Sequence, residues 1–189
     1  MSLSLWLEAD PELAAADLLD ETQVQRWLED ALDWLRANPQ AVPESALRAG
    51  VLSGADLDLA VRIVGDEESR TLNHDYRGMD KPTNVLSFPT DLPADILPEL
   101  DALPLGDLVI CAPVMRREAD SQGKALQAHW AHLLLHGLLH LLGHDHLDDD
   151  EAEVMEALEI TVLARWGIEN PYDETAPAPG ANQERNTTP

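Results

Sequence analysis

Residues 105–146 read LGDLVICAPVMRREADSQGKALQAHWAHLLLHGLLHLLGHDH, and the succession of elements in this stretch decides the fold class. Leu105 to Cys111 is an apolar run rich in β-formers and reads as a strand. Pro113 suits the first turn of a helix reaching about Gln122, and Gly123 stands near its stop. A longer helix over 125–142 follows and carries the histidines. Upstream, Leu57 to Val64 alternates and gives another strand. Asp66 is placed to cap a helix through about Asp75. Arg77 to Thr83 is an irregular charged segment, and Asn84 to Phe88 is a short strand. Pro89, Pro93, Pro98 and Pro104 make the stretch between them a loop. Nearer the start, Leu3, Leu5 and Leu7 alternate as a first strand. Val24, Trp27, Leu28, Ala31, Leu32 and Leu35 repeat with helical spacing, so 20–36 is an amphipathic helix. Asn38-Pro39 and Pro43 then break the chain, and 40–56 reads as a short loop or insert with room for a turn of helix. Downstream, Met155, Leu158, Val162 and Trp166 mark a final helix over 148–166. Strands and helices in mixed order specify an α+β domain. It is expected to occupy 1–170. The Pro-, Ala- and Asn-rich segment 171–189 is expected to be a disordered tail.

The 189 residues hold 12 Lys+Arg against 36 Asp+Glu, a net charge of −24. That balance excludes a basic nucleic-acid coat and a polybasic membrane binder. No apolar run reaches the roughly 18–20 residues that span a bilayer. The start, Met1 to Trp6, has neither the basic end nor the apolar stretch of a signal peptide. The single cysteine, Cys111, can make no internal disulfide, and its place in a strand makes it a small core residue. A cytoplasmic protein is expected. Six of the seven histidines fall between 129 and 146, in the least acidic third of the chain. A clustered minority residue type marks a site.

His136 and His140 lie one turn apart on one helix face. Two imidazoles there suit a tetrahedral ion such as zinc, which takes nitrogen at roughly 2.0–2.1 Å. Gly143 falls where the helix would end in a left-handed cap, and the returning chain then delivers His146 as a third nitrogen. Helix and following turn would form a metal cleft, with a coordination position left for water, as in catalytic sites. Two other ligand choices exist: a His132/His136 pair, on the same stripe, and His144 if the helix continued past Gly143. The spacing also matches the His-Glu-x-x-His-x-x-Gly-x-x-His signature of metzincin peptidases, but Gly137 stands where their general-base Glu belongs, which argues against peptide hydrolysis. Asp145, beside the third histidine, is a candidate to orient a ligand or the water.

Leu72 to Pro89, LNHDYRGMDKPTNVLSFP, is dense in polar groups and turn formers. Arg77 offers paired planar donors that fit phosphate, and Lys81 a point charge. The alternative is that Arg77 merely neutralises Asp75 or Asp80 on a surface turn.

Asn73–Pro89 and His129–His146, with Leu105–Cys111 between them, together resemble the YbeY family of bacterial endoribonucleases and ribosomal RNA maturation factors. The specific motifs are Asp80-Lys81-Pro82-Thr83-Asn84-Val85-Leu86-Ser87-Phe88-Pro89 and His129-Trp130-Ala131-His132 leading into the histidine triad, and the likeness covers roughly 57–167. The resemblance implies a small mixed sheet packed with helices, and one divalent metal, zinc by the family's usual assignment, on His136, His140 and His146. It makes Arg77 the family's functional arginine and single-stranded RNA the substrate. It also implies maturation of the small-subunit ribosomal RNA 3′ end, ribosome quality control, and ribosomal or ribosomal-protein partners, with neither DNA nor membrane as a target. In such a site Arg77 would hold the scissile phosphate, with Lys81 as a second cation. The competing class is a non-catalytic, metal-binding ribosome assembly factor.

Overall fold

A computed structural model describes residues 2–45, 47–93, 95–144 and 149–173. Four strands form one mixed sheet: β1 (Leu3–Ala9), β2 (Leu57–Val64), β3 (Val85–Pro89) and β4 (Leu103–Cys111). Their order is β1-β2-β4-β3, with β1, β2 and β4 parallel and β3 antiparallel to β4. The helices are α1 (Glu21–Ala37), α2 (Arg48–Ser53), α3 (Asp66–Arg77), α4 (Ala112–Gln122), α5 (Leu126–Leu141) and α6 (Asp149–Arg165). The α+β class and the small mixed sheet are as expected.

Alternation in β2 buries Leu57, Leu59, Val61 and Ile63 on one face. β4 carries an extra residue opposite Asp58/Leu59. The bulge switches its buried set from Leu103 and Leu105 to Leu108 and Ile110, keeping both halves on the core side. Gly106 makes the bulge: its φ is +127°, and a Cβ there would stand 2.2 Å from the carbonyl oxygen of Phe88. Pro104 is tolerated beside it, where β3 no longer pairs. The six apolar positions that mark α1 are its six buried residues. Asp20 caps α1 by accepting from the Gln23 amide. α5 lies across β3 and β4, with α1, α4 and α6 beside it.

Two expectations change. The helix after β2 is capped by Gly65 rather than Asp66. Asp66 is its first residue, and its carboxylate is taken by Arg117 of α4 at 2.7 and 2.9 Å. That helix also continues to Arg77, so Arg77 ends α3 instead of opening an irregular segment. The 40–56 stretch holds the six-residue α2 and a 3-10 turn over Pro39–Ala41. Cys111 is buried, as a core residue. No described helix is long and apolar enough to cross a membrane. Pro171 and Tyr172 lie against the domain through Lys124 and Glu159; the rest of the expected tail, from 174, lies outside the described residues.

Candidate functional site

α5 is apolar almost all round because it is buried on several sides, and its histidines interrupt that surface along one stripe: His129, His132, His136 and His140. Its close seat on the sheet suits Gly137. A Cβ there would stand 2.8 Å from Cδ2 of Leu108 on β4, so any side chain at that position would have to displace Leu108. The helix ends in a Schellman turn, with the His144 amide on the Leu139 carbonyl and the Gly143 amide on the His140 carbonyl. Gly143 supplies the required left-handed φ of +98°.

This turn places the carbonyl of His144 2.9 Å from Nδ1 of His140. Nδ1 of His136 lies 2.8 Å from Oε1 of Glu159 on α6. A carbonyl and a carboxylate can only accept, so both Nδ1 atoms carry the proton, and neutral rings then present Nε2 lone pairs. Those two Nε2 atoms are 3.1 Å apart. Two imidazole nitrogens at that distance can share one cation. With zinc–nitrogen bonds of roughly 2.0–2.1 Å, the spacing corresponds to an N–Zn–N angle of about 95–100°. The donor set therefore fits the expected ion. Among the described residues no group of three metal-binding side chains converges, and the third expected ligand, His146, lies outside them, as does Asp145.

Glu159 is the residue that sequence reasoning missed. It is 0% exposed. Burial pushes its carboxyl up, but hydrogen bonds from His132 and His136, the charge of His132 and the Tyr172 hydroxyl outweigh it, holding the pKa at about 2. Its two oxygens divide between the rings: Oε1 takes His136, while Oε2 takes His132 at 3.2 Å and the Tyr172 hydroxyl. The signal was present, since Glu159 interrupts the apolar stripe between Met155 and Val162, and a buried carboxylate has to be paired. The two alternative ligand choices fare differently from the 136/140 pair. His132 points its Nε2 at Glu159, and His144 has its Nε2 2.9 Å from the Ala41 carbonyl. Burial lowers the His144 pKa.

Arg77 and Lys81 sit together, on the last turn of α3 and in the loop after it. Asn73 and Ser69, both buried, tie that loop down through the Lys81 and Thr83 carbonyls. Asp80 is held bidentately by Arg70 at 2.6 and 2.8 Å, and Asp75 faces His74 at 3.3 Å. Arg77 therefore neutralises neither aspartate. Arg77 and Lys81 are exposed and form no side-chain hydrogen bond or ion pair with the described residues, the histidines included. The nearer link to α5 is Asn84, which donates to Glu118 at 3.1 Å, while Glu118 receives Nε2 of His129 at 2.8 Å.

A histidine–carboxylate row on the helix that crosses a four-stranded α+β sheet, with two exposed cations at the end of α3 and in the loop after it that pair with none of the described residues, defines the class of site. The family model described as Endoribonuclease YbeY matches residues 14–167. The chain belongs to that family. The Endoribonuclease YbeY of Pseudomonas putida is 54% identical over 147 residues, which is 75% of this chain and 92% of that protein. The Endoribonuclease YbeY of Cellvibrio japonicus is 48% identical over 163 residues, 86% of this chain and 80% of that protein. The solution structure of TM1509 from Thermotoga maritima shares the fold, with a TM-score of 0.50 at 19% identity over 94% of this chain and 99% of that one.

Proposed function

We propose that this protein is a metal-dependent, single-strand-specific endoribonuclease that matures ribosomal RNA at the small-subunit 3′ end and serves ribosome quality control in the cytoplasm, in contact with the ribosome or its proteins. The observation that carries the reading is the facing pair of Nε2 atoms on His136 and His140, 3.1 Å apart, with both Nδ1 atoms committed as donors. These two nitrogens, with His146 as third ligand, would hold one divalent ion, zinc by preference for imidazole. A bound ion of that kind supplies Lewis acidity toward a phosphoryl oxygen and acidifies water. Glu159 fixes the ring and tautomer of His136 and raises its basicity. Arg77, which pairs with no acid among the described residues, would grip the scissile phosphate and stabilise charge that develops on it; Lys81 adds a second positive charge four residues on. Asp145 is kept as the candidate that orients the nucleophile.

The test is cleavage of a labelled single-stranded RNA by metal-quantified protein, beside His136→Ala and Arg77→Ala prepared identically. The reading expects both variants to lose cleavage and only the first to lose metal. Equal cleavage by all three preparations would mean a contaminating nuclease and would hand the lead to the non-catalytic assembly factor.

A further inference from the structure

Glu159 gives Oε1 to His136 and keeps Oε2 for two other donors, Nε2 of His132 at 3.2 Å and the hydroxyl of Tyr172. Tyr172 belongs to the segment after α6, which turns back onto the domain and is fastened there at several points. The Ile168 amide returns to the Leu163 carbonyl at 3.0 Å. The Pro171 carbonyl accepts from Lys124, just ahead of α5, at 2.6 Å. The Tyr172 amide donates to Oδ1 of Asn170 at 3.0 Å. The Tyr172 ring stands edge-on to that of His132, with centroids 5.4 Å apart. Burial and the Glu159 charge both push the Tyr172 phenol up from its ordinary pKa, so its oxygen keeps the proton and donates it to the carboxylate.

The last torsion of a glutamate is broad and roughly two-fold, so the carboxylate turns easily unless its oxygens are held. Glu159 is fully buried, which leaves the hold to its protein donors. His132 and His136 both reach it from α5; of the three bonds, that from Tyr172 alone comes from another part of the chain. With Oε2 held from both sides, Oε1 stays on Nδ1 of His136, and that ring keeps the orientation in which its Nε2 faces that of His140. We infer that Tyr172 is a positioning residue of the metal site, its hydroxyl locking the Glu159 carboxylate so that His136 is presented to a divalent ion. The inference rests on the metal-dependent reading above and adds the segment after α6 to the site. Loss of the hydroxyl acts in two opposed ways. It makes the carboxylate a stronger acceptor toward His136, which favours metal, and it leaves a buried charge one donor short and free to turn toward the donors that remain. The second effect prevails, because a ligand ring binds only when it is held with its lone pair on the ion.

Tyr172→Phe keeps the ring and deletes one oxygen, and it is measured in a cycle with Glu159→Gln. Zinc Kd is read on stripped full-length protein by competition with a chromophoric chelator, beside the far-UV spectrum of each variant. Tyr172→Phe should weaken zinc about three- to tenfold at an unchanged spectrum. On the Glu159→Gln background the same substitution should change zinc affinity by less than about twofold, because the carboxylate through which it acts is gone. A second readout does not require Glu159→Gln to fold: in zinc-loaded protein the Nδ1 proton of His136, followed by ¹⁵N-edited NMR, should exchange with water several-fold faster in Tyr172→Phe. Zinc binding that is unchanged or tighter in Tyr172→Phe, an equal loss on both backgrounds, or an unaltered exchange rate overturns the positioning role and leaves the metal site standing. Wild-type protein that takes up no zinc overturns the metal reading itself, and the role of Tyr172 with it.

Discussion

Glu159→Gln changes one oxygen to an amide at constant volume and tests the charge state on which the site's geometry depends. The carboxyl is 0% exposed and sits at about 2, against an ordinary value of 4.5. A folded-state value below the unfolded one means that ionisation stabilises the fold. That contribution is complete above the unfolded value and disappears as pH falls through about 2. At roughly 1.4 kcal/mol for each pH unit of separation, it amounts to about 3 kcal/mol at pH 7 and about 1 kcal/mol at pH 3. The neutral variant should therefore be about 3 kcal/mol less stable at pH 7, a fall in Tm of about 6–12 °C for a domain of this size. The gap should narrow by about 2 kcal/mol at pH 3. Urea unfolding of chelator-treated wild type and variant, at both pH values, measures it. Equal stability at pH 7, or a gap that does not shrink in acid, would refute an ionised Glu159 held by His132 and His136. On the reloaded proteins, loss of the carboxylate behind His136 should weaken metal binding about 10–100-fold.

Gly137→Ala should destabilise by about 1 kcal/mol, since crowding Leu108 outweighs the gain in helix preference; a higher Tm would contradict the close seat of α5 on β4. Arg70→Ala releases Asp80 to compete for Arg77, so cleavage should fall through a raised KM with little change in melting, and Asp80→Asn added to it should restore the rate. If the double variant is no better than the single, Asp80 is not the competitor. Cleavage of free RNA should fall steeply with salt, and Arg77→Ala should flatten the binding slope by about one unit, read by anisotropy across a salt series.

What the sequence discloses is local. The α1 stripe, the β2 alternation, the Gly123 and Gly143 stops and the His136/His140 spacing are all set by residues within a few positions of one another, and the structure has them where periodicity and turn chemistry put them. The remainder depends on partners distant in the chain. Asp66 has the composition of a cap, but an arginine 51 residues away takes its carboxylate. Arg77 reads as a partner for Asp80 until α3 brings Arg70 there first. Gly137 resembles a vacant catalytic position and is instead where the helix meets Leu108. Glu159 shows in the sequence only as an acid in an apolar stripe, because its significance lies in two rings 23 and 27 residues earlier.

The apparent conflict between a net charge of −24 and a polyanionic substrate is settled by how the cations are distributed. Arg36, Arg48, Arg62, Arg70, Arg116, Arg117 and Arg165 each hold a carboxylate. Lys124 is spent on Gln122 and the Pro171 carbonyl. Among the described residues Arg26, Arg77 and Lys81 hold no carboxylate, and of these Arg77 and Lys81 stand close in the chain, four residues apart. The acids nearest them in the chain, Asp75 and Asp80, are turned toward His74 and Arg70. At physiological salt, charges beyond about 8 Å are largely screened, so a phosphate arriving at this loop responds to the two exposed cations far more than to the remote acidic surface. The chain's overall charge then acts mainly on encounter: it slows approach of free RNA and favours substrate presented by a larger assembly. For that reason the positive end of α3 is expected to govern cleavage of free strands most strongly at low salt.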